Sequence, residues 1–85
     1  MYRYKTFGTC ARAIELEVDG NKVRQVRFIG GCMGNTQGVA ALVQGMEVDE
    51  AIRRLKGIQC GNKGTSCPDQ LARALEEYKT RAVMA

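Results

Sequence analysis

The chain has 85 residues, of which 45% are hydrophobic and 26% charged, with a formal net charge of +4 and no histidine. That length makes one domain, residues 1–85, whose core hides only about 60–65% of the surface exposed by the unfolded chain, and the composition excludes a disordered or low-complexity polypeptide. No apolar run approaches the roughly 20 residues that cross a bilayer, and Met1-Tyr2-Arg3-Tyr4-Lys5-Thr6 has no apolar segment of a secretory signal, so the expectation is a cytoplasmic protein with no membrane partner.

Tyr2 to Phe7 alternates and is aromatic-rich, which predicts a short edge strand with exposed basic positions, broken at Gly8. From Arg12 to Val18 the residues Ile14, Leu16 and Val18 fall on one face and Glu15 and Glu17 on the other. Asp19-Gly20-Asn21-Lys22 is a tight-turn signal, and Val23 to Ile29 returns as the partner strand. Gly30-Gly31-Cys32-Met33-Gly34-Asn35 ends the sheet, with Asn35 or Thr36 as the expected cap of the next helix. Val39, Ala40, Leu42, Val43 and Met46 form the apolar stripe of that helix, and Gly45 its stop. A second helix is predicted from Val48 or Asp49 to Lys56, with acids in its first turn and bases in its last, as the helix dipole favours. The third runs from Pro68 to about Lys79, with Leu71, Ala74, Leu75 and Tyr78 at helical spacing; Pro68 suits the first helical position. Strands followed by helices make an α+β fold: a three-stranded antiparallel meander with three helices packed on one face.

Four cysteines carry the chemistry. Cys10 and Cys32 flank the central hairpin, whose ends come together, while Cys60 and Cys67 flank a glycine-bearing loop. All four stand at element ends or in loops, where backbone can bend to let thiolates converge on one ion at about 2.3 Å. In a reducing cytosol four cysteines point to metal binding or redox chemistry rather than to two disulfides. Cys67, at a helix start, lies at the positive end of a dipole that favours thiolate. The expected ligand set is Cys10, Cys32, Cys60 and Cys67. Gly31, Gly34, Asn35, Gly61, Thr65, Ser66 and Asp69 would surround and support the sulfurs. Zinc suits four thiolates in a closed tetrahedral site, and an iron–sulfur cluster uses the same donors. The alternative is thiol redox or thiol transfer with Cys67 as nucleophile and another cysteine resolving it. Structural burial of cysteine is the plain reading for any one of them. A phosphate loop at Gly30–Gly34 lacks both the Walker lysine and dinucleotide spacing. Glu15, Glu17, Asp19, Glu76 and Glu77 read as solvated charge rather than as acid–base catalysts. The bases at positions 3, 5, 12, 22, 24, 27, 53, 54 and 56 are scattered and not interleaved with aromatics, which argues against a nucleic-acid partner.

Thr65-Ser66-Cys67-Pro68-Asp69 spells the motif of the TSCPD domain, and together with the Gly30–Asn35 segment the resemblance covers nearly the whole chain. The chain resembles the small stand-alone members of that family, whose four cysteines match Cys10, Cys32, Cys60 and Cys67. The same domain ends many vitamin B12-dependent ribonucleotide reductases. The resemblance therefore implies an accessory role near deoxyribonucleotide synthesis, with the reductase or a cluster- or thiol-transfer protein as partner. A chain this short has no room for the reductase barrel and is not expected to have independent enzymatic activity. A more distant similarity is to iron–sulfur cluster scaffold proteins, through the order of Cys10, Cys32, Gly45-Met46-Glu47-Val48-Asp49-Glu50-Ala51 and Cys67. It implies the same order of strands and helices and three cysteines meeting at one end. The histidine of those scaffolds is missing here and Cys60 is added, which suits a more stably held metal. The exposed backbone of the first strand would also let two copies pair as a homodimer.

Overall fold

Alternation and turn chemistry place three strands, β1 (Tyr2–Lys5), β2 (Ala11–Asp19) and β3 (Lys22–Gly30), in one antiparallel sheet of order β1-β2-β3. The computed structural model describes residues 2–9, 11–30, 33–59 and 64–84. Tyr2 lies opposite Leu16 and Tyr4 opposite Ile14, while Leu16 and Ile14 lie opposite Val26 and Phe28. One face is therefore apolar from strand to strand, and the other carries Arg3, Glu15 and Arg27 in a row. At the hairpin only Gly20 takes a positive φ, +65°, and Asn21 does not. That combination matches a type II′ turn, whose twist suits the flanking strands.

β1 is two residues shorter than the alternation predicts. Thr6 still donates to Arg12 O (3.3 Å), but Phe7 N donates to Gln70 Oε1 (3.2 Å), which turns the chain off the sheet.

Three helices follow: α1 (Met33–Val43), α2 (Val48–Leu55) and α3 (Cys67–Met84). Their apolar sides meet the sheet in one cluster, which includes Ile14, Leu16, Val23, Val43, Val48, Ala51, Leu71 and Leu75. Two expectations for α1 need correction. The helix begins at Met33, so Asn35 and Thr36 lie inside it rather than capping it. The turn is made before it, by Gly30 at φ +79°. Leu42 is 76% exposed and does not join the apolar stripe. It stands roughly 100° round the helix from buried Val43, and only one side of α1 meets β3.

The connection from α1 to α2 adds contacts that the sequence did not announce. Gly45 N donates to Val23 O (2.7 Å), Val23 N to Met46 O (2.8 Å) and Val48 N to Asn21 O (2.8 Å). Residues 45–48 thus cover the first part of the β3 edge, satisfying backbone that would otherwise be unpaired. α2 keeps the predicted charge order, with Asp49 and Glu50 in its first turn and Arg53 and Arg54 in its last.

Candidate metal centre

Cys67 is the first residue of α3, one earlier than the sequence reading placed the helix start, so Pro68 takes the second position. The proline is tolerated there for the reason that favours the first position: an N–H in the first turn has no helical partner. Ser66 precedes the helix as its N-cap. Its Oγ accepts from Asp69 N (3.1 Å), and its carbonyl accepts from Gln70 N (2.8 Å). Cys67 is a free thiol, half-buried.

Around this helix start lies a buried polar network. Asp69 is 2% exposed. Its Oδ1 accepts from Gly57 N (2.7 Å), and its Oδ2 from Thr65 Oγ1 (2.5 Å) and Arg73 Nε (2.8 Å). Burial alone would raise the Asp69 pKa. The hydrogen bonds from Thr65 and Gly57 and the Arg73 guanidinium outweigh it and hold the carboxyl below its ordinary range. Gln70 is fully buried, with Nε2 donating to Thr65 Oγ1 (2.9 Å) and Oε1 accepting from Phe7 N. Ser66 Oγ donates to Ile58 O (2.6 Å). Every buried side-chain polar atom among the described residues has a partner.

The network ties the start of α3 to two other pieces of chain, and the sheet brings a third. Phe7 is bonded to Gln70, and Gly8 sits so close to Thr65 that a Cβ on it would lie 2.9 Å from Thr65 Cγ2; Cys10 follows Gly8 by two residues. Ile58 is bonded to Ser66, two residues before Cys60. Ala11, which follows Cys10, pairs with Gly30, two residues before Cys32. Cys10, Cys32 and Cys60, with Gly31 and Gly61, lie outside the described residues. Gly34 and Asn35 are in the first turn of α1, and their side chains lie outside the described part. Among the described residues no three Cys, Asp or Glu side chains form a group able to hold a metal ion.

The match over residues 2–79 is to the TSCPD domain. This chain belongs to that family. Its membership rests on nearly the whole length, not on the Thr65–Asp69 motif alone. No curated protein matches the chain. No solved structure matches it either.

In this TSCPD domain the motif has an architectural task that can be read residue by residue. Thr65 and Asp69 lock to one another, Ser66 caps, Pro68 occupies the second helical position, and Cys67, the first, is left partly accessible among them. Sequence reasoning places Thr65, Ser66 and Asp69 at the helix start, as acceptors for its free N–H groups and as neighbours of the sulfur, but not in a buried network. It missed Gln70, Arg73, Gly8 and Ile58. A signal for Gln70 was present: it shares helical spacing with Ala74, whose burial the apolar pattern predicts. No local signal pairs Gly8 with Thr65, because they are distant in sequence.

Proposed function

We propose that this TSCPD domain is a small metal-binding module in which Cys10, Cys32, Cys60 and Cys67 hold one zinc ion or one iron–sulfur cluster, zinc being preferred. The observation that carries this reading is the convergence of chain at the start of α3: segments leading to Cys10 and Cys60 are hydrogen-bonded to Gln70 and Ser66, on either side of Cys67. The β2–β3 pairing of Ala11 with Gly30 supports the approach of the segment that leads to Cys32. The donor chemistry fits as well. Asp69, the carboxylate nearest Cys67 in sequence, has both oxygens engaged by Gly57, Thr65 and Arg73, which leaves sulfur as the available donor. Four thiolates around zinc form a closed structural site that stabilises the fold holding it. In that site Ser66 and Gln70 orient the loops, and Asp69 keeps the first turn of α3 from fraying.

Metal and inorganic sulfide per chain, measured on protein purified without oxygen and without a nickel column, test the reading. Zinc at about one per chain with no visible absorbance is expected; iron with sulfide would make the group a cluster. Cys67→Ser with unchanged metal content and unchanged melting temperature would refute the module.

A second reading rests on the half-buried Cys67 thiol at the first position of α3. It makes the domain a thiol redox or transfer protein, with Cys67 attacking and another cysteine resolving. It predicts one thiol that alkylates much faster than the others in metal-free native protein. Uniformly slow alkylation would count against it.

A further inference from the structure

We propose that the free edge of β1 is a docking site for an extended segment of a partner protein in which acidic residues alternate with apolar ones. β1 lies at one edge of the sheet, and among the described residues nothing pairs with its outer side. The register settles which backbone groups point outward. Thr6 N donates to Arg12 O, and Thr6 and Arg12 continue the pairing in which Tyr4 faces Ile14 and Tyr2 faces Leu16. In an antiparallel ladder such residues alternate. Tyr2, Tyr4 and Thr6 direct their backbone groups to β2, and Arg3 and Lys5 direct theirs to the open edge.

Arg3 and Lys5 also lie on the exposed face of the sheet, opposite the helices. With Arg12, Ala13 and Ile29 they line a shallow hollow of about 550 Å³ with no acidic residue in its lining. Glu15, opposite Arg3 on the same face, pairs with Arg3 at 3.8 Å, a weak surface contact that leaves the exposed guanidinium able to meet an incoming carboxylate as well. An added strand would bond to the N–H and C=O groups of Arg3 and Lys5. Its residues directly opposite them, two apart in sequence, would fall on that same basic face. Acidic side chains at those two places form cross-strand pairs with Arg3 and Lys5. The residues between them turn to the other face, beside the Tyr2 and Tyr4 rings, and apolar side chains suit that position. Tyr2 is held there by Tyr78, at 5.5 Å between ring centroids.

The same charges select against the other occupants. Two copies of β1 paired with each other would set Arg3 and Lys5 of one against Lys5 and Arg3 of the other, and like charges directly opposite are destabilising. Single-stranded nucleic acid is bound on exposed aromatic platforms, whereas Tyr2, Tyr4 and Phe28 pack against the core on the opposite face.

The test is fluorescence anisotropy with a labelled Val-Glu-Val-Glu-Val-Glu-Val peptide. Binding is expected to the wild-type chain, to weaken as NaCl rises from about 50 to about 300 mM, and to fall at least about tenfold in Arg3→Glu/Lys5→Glu. A peptide with Lys in place of Glu should prefer that double variant, which shows that the variant is folded and the edge intact. The Glu peptide N-methylated at alternate amides keeps its charge but loses its edge donors, and should not bind. Arg53→Glu/Arg54→Glu, on α2, should leave binding unchanged. Absence of binding at about 1 mM peptide overturns the proposal. So does equal binding of the N-methylated peptide, which would mean a charged face without strand addition. Tighter binding of an oligodeoxythymidine, or a dimer of the free protein strengthened by Lys5→Glu, which would set Glu opposite Arg3 of the other copy, would assign the edge to nucleic acid or to a second copy instead.

Discussion

Removing the Asp69 carboxylate should cost the domain a large part of its stability. Asp69→Ala leaves Gly57 N–H, Thr65 Oγ1 and the Arg73 guanidinium without their acceptor. A hydrogen bond to a charged group contributes about 1.5–3 kcal/mol, and a buried donor left unpaired costs about 1–3 kcal/mol. Thr65 still accepts from Gln70 and can rotate its proton, and Arg73 is 42% exposed and regains water, so its share is that of a surface pair, below about 1 kcal/mol. Gly57 is itself an exposed residue whose N–H can regain water, so its charge-assisted bond and the lost anchoring of the α3 first turn carry the rest, giving about 2–3 kcal/mol in total. A domain of this size has a total stability of about 4–13 kcal/mol, and each kcal/mol corresponds to about 4–8 °C in melting temperature. Urea unfolding followed by far-UV circular dichroism measures the difference. A loss below about 1 kcal/mol would refute the argument that this network holds the start of α3. Arg73→Ala serves as control and should lose less than about 1 kcal/mol. The pH dependence has a defined sign. The folded pKa of Asp69 is lowered, so its stabilising contribution is complete above the unfolded carboxyl pKa of about 3.9 and is lost as pH falls through the folded value. The wild-type urea midpoint should fall in that acid range, and Asp69→Asn should lack that component.

Three further outcomes follow from the same structure. Gly8→Ala combines a φ of +71° with a Cβ 2.9 Å from Thr65 Cγ2, whereas Gly20→Ala meets only a φ of +65° in open space. Gly20→Ala should cost about 1 kcal/mol and Gly8→Ala at least about 1 kcal/mol more in urea unfolding; equal costs would mean that the loop before Cys10 is not pressed on Thr65. Leu75→Ala, at a fully buried position, should cost about 2–5 kcal/mol, while Leu42→Ala should stay within about 0.5 kcal/mol, and a reversal of that order would overturn the packing described for α1. Ser66→Ala removes both the cap of α3 and the bond to Ile58 O, and should lower stability by about 1–2 kcal/mol; an unchanged midpoint would deny Ser66 its place between the two loops.

The amino-acid sequence by itself determined the elements and their order. Ile14, Leu16 and Val18 alternate with acids because β2 has one wet and one dry face, and Asp19-Gly20 turns because glycine tolerates positive φ. Thr65 to Asp69 starts a helix because caps and proline act within one turn of chain. The family, too, was legible in that motif. These signals are local, and local sterics and hydrogen bonding suffice to express them. What only the tertiary structure decided depends on neighbours remote in sequence. Phe7 leaves the sheet because Gln70 offers it an acceptor from the far end of the chain. Leu42 is exposed because, among the described residues, the packing of α1 on β3 and α3 leaves that side of the helix uncovered. Asp69, which local reasoning took for a helix-start residue, is a buried anchor because Gly57 and Arg73 converge on it. Burial and satisfaction of a polar group are properties of the space around it, and that space is made only when the helices close on the sheet.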